Sequence, residues 1–189
     1  MKPINAFVCA LVCLCSLISS PVLLAADKRT NWSKKHMQDI YMAYLKKERY
    51  MPKLDSDGDV IFKSEGNTFF VAISEEDPTF FRLILPNIWK VEGHTQRAYV
   101  LTAADQSNAM CKVSKVFLVE DRVWVSIEQF LASPEDFKSI FKRAIGALDA
   151  GASVFVLKMA EQVASHTQGS RKGVDERPPG SKPNPGQEL

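Results

Sequence analysis

The chain has 189 residues, 46% of them hydrophobic and 24% charged, with a formal net charge of +2. That size and mix suit one globular domain with a real core, and they exclude a disordered chain. A charge so close to balance leaves no electrostatic footprint for nucleic acid or for an anionic membrane surface.

Residues 1–26 read as a secretory signal peptide. Lys2 and the α-amine precede an apolar run from Ala6 to Ile18, broken only by Ser16, and Ser19, Ser20 and Pro21 then lead to VLLAA before Asp27. This layout predicts cleavage after Ala25 or Ala26 and a periplasmic or secreted protein. The alternative is a retained anchor, since residues 4–26 could just span a bilayer core of ~30 Å. Pro21 and the small residues before Asp27 favour cleavage, after which no membrane span is expected. Lipidation is not expected, because Val8, Val12 and Leu14 precede Cys9, Cys13 and Cys15 where a small residue is needed. Cleavage leaves Cys111 as the one thiol, so the mature chain has no intramolecular disulfide even in an oxidising compartment. Losing only Lys2 takes the 24 Lys and Arg to 23, against 22 Asp and Glu.

After a polar lead-in, Ser33 is placed to cap a helix over Lys34 to Arg49. Met37, Ile40, Tyr41, Tyr44 and Leu45 form its apolar stripe, and Pro52 follows its end. Val60 to Ser64, a turn at Glu65-Gly66-Asn67, Thr68 to Ser74, and Thr79 to Leu85 predict a three-stranded meander ended by Pro86. Phe69, Val71 and Ile73 would share one face, as would Phe81, Leu83 and Leu85. Thr95 can cap a second helix to about Asn108, with Ala98, Leu101 and Ala104 inward. Lys112 to Val119 and Arg122 to Glu128 form a hairpin around Glu120-Asp121. Its Val123, Val125 and Ile127 face inward, and Trp124 points the other way.

Ser133-Pro134-Glu135-Asp136 is the strongest helix start in the chain. The stripe behind it runs through Phe137, Ile140, Phe141, Ala144, Ile145 and Leu148, and on through Ala152, Phe155, Val156, Met159 and Val163. Gly146 and Gly151 interrupt it and mark a kink or a close contact. From His166 the composition turns to Pro, Gly and charge, so residues 166–189 are expected to be a disordered Pro/Gly-rich tail. The domain is therefore residues 27–165. Its class is α+β: helix, three-stranded antiparallel meander, helix, β-hairpin, long C-terminal helix.

Three stretches, DSDGDVIFK from Asp55, FFVAISEEDPTFFRLILP from Phe69 and AADQSNAMCKVSKVFLVEDRVWVS from Ala103, carry a resemblance. In wording and in order of elements, the chain from Asn31 to Ala164 resembles the YbjN family, small bacterial domains with the fold of type III secretion chaperones. The resemblance implies dimerisation and protein binding without an established enzymatic activity. Secretion chaperones are cytoplasmic and usually acidic, whereas this chain carries an export signal and has a pI near 8.3. The fold is carried over, and the secretion-chaperone role is not.

Asp55, Asp57 and Asp59 around Gly58 are the metal-like group. An EF-hand loop from Asp55 needs Gly at its sixth position and a carboxylate at its twelfth, but Val60 and Gly66 stand there. A loop from Asp57 fails likewise at Phe62 and Thr68. The same residue types build a tight turn before a strand. Cys111 lacks a sequence-adjacent base, with His36, His94 and His166 dispersed, and reads as a small apolar residue. No phosphate loop, nucleophile elbow or zinc-protease motif is present.

The sequence therefore predicts an exported, non-enzymatic protein-binding module. It is expected to be a homodimer, to meet an envelope protein as partner, and to need no cofactor. Trp124 is the candidate contact residue, and the open edges of the sheet are further candidates. The alternative is a small-molecule or metal-responsive sensor using the aspartate turn and the Trp89/His94 loop.

Overall fold

The computed structural model describes residues 32–175, with side chains through residue 167. The signal expected over residues 1–26, and residues 176–189 of the expected tail, lie outside the described residues.

Ser33 caps the first helix, α1 (Lys34–Lys47), its hydroxyl accepting from the His36 N–H at 3.3 Å. The helix ends at Lys47 rather than Arg49. Arg49 turns to a φ of 67°, and the Tyr50 N–H reaches back to the Leu45 carbonyl oxygen, which closes the last turn.

Four strands follow: β1 (Lys53–Leu54), β2 (Val60–Ser64), β3 (Asn67–Ala72) and β4 (Phe80–Lys90). The two-residue β1 is not visible in the residue pattern, because it is too short to show an alternation. Glu65 and Gly66 both take positive φ, 49° and 83°, between paired Ser64 and Asn67. That is the two-residue hairpin turn whose twist matches its strands.

Pro86 does not end β4. The strand bulges there instead: the ladder to the next strand breaks after Leu85 and resumes at Trp89. A proline has no N–H to give, so the chain kinks past it, with Asn87 at a φ of 58°.

The second helix, α2 (Gly93–Met110), starts before the expected Thr95, with Glu92 in the capping position and no side-chain cap. Its inward face is Val100, Ala103, Ala104 and Ser107, whereas Leu101, expected inside, is 52% exposed, and Ala98 is exposed too. The small residues face inward because α2 packs closely on both the last helix and its neighbouring strand. Then come β5 (Ser114–Val119), β6 (Arg122–Phe130) and a 3-10 turn over Pro134–Asp136. The Ser133 hydroxyl accepts from the Glu135 N–H, and Asp136 accepts from the Ser133 N–H at 2.9 Å. This reciprocal cap launches α3 (Phe137–Asp175). The helix thus continues past His166, where the tail was expected to begin.

The six strands form one antiparallel sheet ordered β1-β2-β3-β4-β6-β5, with helices as predicted for an α+β chain. All three helices bury their apolar stripes on one face of it. Phe62, Phe69, Phe81, Leu83, Val123 and Val125 of the sheet meet Tyr41, Leu45, Phe137, Phe141, Leu148 and Phe155 there. On α3 the buried positions are Phe137, Phe141, Ala144, Leu148, Gly151, Phe155 and Met159, steps of four and three; Val156 and Val163, expected on the stripe, are exposed. Gly151 is a close contact: a Cβ there would lie 2.6 Å from Ser114 Oγ and 3.2 Å from Val125 Cγ1. Gly146 has nothing within 4 Å of that position.

Candidate interaction surface

The expected aspartates do meet, in the turn between β1 and β2. Asp55 Oδ1 accepts from the N–H groups of Asp57 and Asp59 at 3.0 and 2.9 Å, and Asp59 Oδ1 accepts from the Ile73 N–H at 2.8 Å. Lys34 Nζ donates to the Asp57 carbonyl oxygen and Gln38 Nε2 to that of Gly58, so the turn is fastened onto α1. Burial raises the Asp59 pKa above the usual carboxylate range; the Ile73 N–H opposes this and the Asp55 charge adds to it. Two of the three carboxylates thus serve their own backbone, and Asp57 points to solvent. Among the described residues no group of three or more His, Cys, Asp or Glu is arranged to hold a metal ion.

The remaining candidates are dispersed. Cys111 is half-buried just after α2, its N–H bonded to the Ser107 carbonyl oxygen. His36 lies against Trp32, His166 against Tyr99, and His94 is exposed at the start of α2. Trp89 is not in a loop. It lies on β4 against Phe155, at 6.1 Å, with Nε1 buried and without a hydrogen-bond partner.

The sheet edges are less available than an open sheet suggests. β1 is only two residues long. On β5, the side-chain amide of Asn108 takes the place of a strand: Nδ2 donates to the Val116 carbonyl oxygen at 3.0 Å, and Oδ1 accepts from its N–H at 2.7 Å. A side chain in that position blunts the edge.

The face of the sheet opposite the helices remains. Strand alternation puts Phe70, Phe80, Phe117, Trp124 and Phe130 on it, and their ring contacts are with one another. Phe70 meets Trp124 edge-on at 5.5 Å, Phe117 meets Trp124 at 6.4 Å, and Phe80 meets Phe130 at 5.4 Å. One row of partners crosses the sheet as Ile61, Phe70, Ile84, Ser126 and Lys115. Ile84 and Ser126 are 2% and 0% exposed although no described helix lies over them. Phe130 is 73% exposed.

A charged cluster sits among these rings. Glu128 takes Lys115 Nζ at 2.6 Å and Ser126 Oγ at 3.0 Å, and Arg82 Nε lies 3.0 Å from its other side. Arg82 and Lys115 also stand over the Phe117 ring, at 5.8 and 5.4 Å from its centre. Burial works to raise the Glu128 pKa, but the bonds from Lys115 and Ser126 and the two cations outweigh it and hold it below the usual range. The surface thus combines aromatic rings with an ion-paired cluster. Sequence reasoning found Trp124 but not Phe70, Phe117 or the Arg82–Glu128–Lys115 cluster, which exists only through cross-strand register.

No protein-family model, curated protein or solved structure matches this chain. The site is therefore read from its own chemistry. Among the described residues no helix is long and apolar enough to cross a membrane.

Proposed function

We propose that the protein is a non-enzymatic protein-binding module that uses the open face of its sheet as the contact surface. The observation that carries this reading is the cluster of Trp124, Phe70 and Phe117 on a face without a described helix over it. Aromatic residues and Arg are the types enriched where proteins meet, and a contiguous apolar patch rimmed by charge is the usual form of such a surface. Trp124 serves as the central anchor, and the Arg82–Glu128–Lys115 cluster sets orientation, because misplaced charges opposite it would be costly. The signal pattern read in residues 1–26 supports a periplasmic or secreted setting for this activity. The resemblance to the YbjN family supports a homodimer as the working unit, with an envelope protein as further partner.

The test is co-purification of the tagged protein from native envelope, alongside light scattering of the purified chain. A homodimer and a recovered envelope protein are expected, both weakened by Trp124→Ala and by Phe117→Ser. A monomer that recovers nothing, or an assembly indifferent to both substitutions, would sink the reading.

A further inference from the structure

A second feature lies where β3 and β4 part. The two strands pair only from Phe70–Ile84 to Ala72–Arg82. Beyond that point β3 pairs only with β2, and of Asn67, Thr68 and Phe69 it is Thr68 whose N–H and C=O face the gap, since the two-residue turn commits those of Asn67 and Phe69 to β2. Pro86, Asn87 and Ile88 on β4 are paired with neither β3 nor β6. The divergence follows from Pro86, which gives no N–H to a ladder, and from the left-handed Asn87 after it. The sheet is thus split from one end, and the split opens a cavity of about 950 Å³ with α3 along its side. That is at the upper end of ligand-pocket sizes, ~300–1,000 Å³.

The lining is apolar at Pro86, Ile88 and Val156 and polar at Thr68 and Ser153, with one charged residue, Asp149. No basic side chain lines the cavity. Among the described residues Asp149 has no hydrogen bond and no ion pair, although it is half-buried. Burial raises its pKa, and the nearby Glu65 charge adds to the rise. A free strand edge takes an extended chain by main-chain hydrogen bonds, and pockets for alternate side chains supply the selectivity.

We propose that this cleft binds an extended peptide segment bearing a Lys or Arg. The segment bonds the free N–H and C=O of Thr68 on β3, and its cation meets Asp149. This site is separate from the aromatic face and stands without it. Here a strand edge and an uncompensated carboxylate face the same space.

The experiment is selection of a random-sequence octapeptide display library on the full chain, followed by fluorescence anisotropy with the selected peptides. The expected peptides share one Lys or Arg among alternating apolar residues. Asp149→Asn should weaken them by about ten- to hundredfold, the usual worth of a charge-assisted bond. Ser153→Trp should fill the cleft and abolish binding, while Lys46→Ala, exposed on α1, should leave it unchanged. Thermal unfolding of each variant checks that it still folds. A library without binders, binders lacking a basic position, or binding that survives Ser153→Trp would each overturn the proposal. Failure of these peptides would leave the aromatic surface untouched, since that surface is read out by co-purification and light scattering with Trp124→Ala and Phe117→Ser.

Discussion

The two faces of this sheet carry comparable numbers of large side chains and use them differently. Under the helices, Phe62, Phe81, Phe137 and Phe141 are fully enclosed, and aromatic contacts run between sheet and helix, as from Tyr41 to Phe81 and from Phe62 to Phe141. On the other face, the ring contacts of Phe70, Phe117 and Trp124 among the described residues are with strand neighbours, with a charged cluster threaded among them. The inner face holds the fold together, and the outer face is kept stable without being covered. Aromatic content alone does not identify a core. What the rings touch decides it.

The sharpest way to test that division is to truncate a ring on each side. Phe141→Ala should cost about 3–5 kcal/mol in urea unfolding, as for any enclosed aromatic whose cavity cannot collapse. Trp124→Ala should cost only about 1–2 kcal/mol, since it forfeits two edge contacts on a half-exposed surface. Equal losses at the two sites would mean that the outer face is core.

The glycines of α3 give a finer comparison within one helix. Gly151→Ala should destabilise by about 1–3 kcal/mol, because its Cβ would press on the buried Ser114 and on Val125. Gly146→Ala, facing open space, should stabilise by about 1 kcal/mol through helix propensity. Opposite signs in thermal unfolding are the expected result, and matching signs would show that α3 does not ride this close to β5.

The smallest effect concerns Glu128. Its pKa is depressed in the folded chain, so its contribution is present above the unfolded value, about 4.3, and is lost as pH falls through the folded one. Glu128→Gln should therefore lower the neutral plateau slightly and flatten the acid limb, the two profiles converging at low pH. An acid limb of unchanged slope would remove Glu128 from the list of groups that protonate on acid unfolding.

The elements themselves were largely legible. Single-period stripes such as Met37–Tyr41–Leu45, and the Ser133 capping box, are local signals, and local physics decided them. The misses have tertiary causes. Pro86 reads as a stop, but a proline is tolerated in a strand where neither neighbour needs its N–H, and that freedom depends on β3 leaving first. Leu101 outranks alanine for burial on any hydrophobicity scale, yet the close approach of α3 selects the small face of α2. The Phe117–Trp124 pair could have been read, because the Glu120-Asp121 turn fixes the register of its hairpin. Its partner Phe70 could not, since β3 reaches Trp124 only by way of β4, and Arg82 joins Glu128 across a strand pairing that no local pattern encodes.

Asn108 has a further consequence. A sheet with one exposed aromatic face and two free margins would be an invitation to polymerise, each copy adding its β5 to the next one's β1 in a head-to-tail contact that never closes. By occupying both hydrogen-bonding groups of Val116, a single amide side chain denies that filament its first rung. A sticky face is tolerable on a molecule whose margins are sealed, and at Asn108 the cost of sealing is one residue.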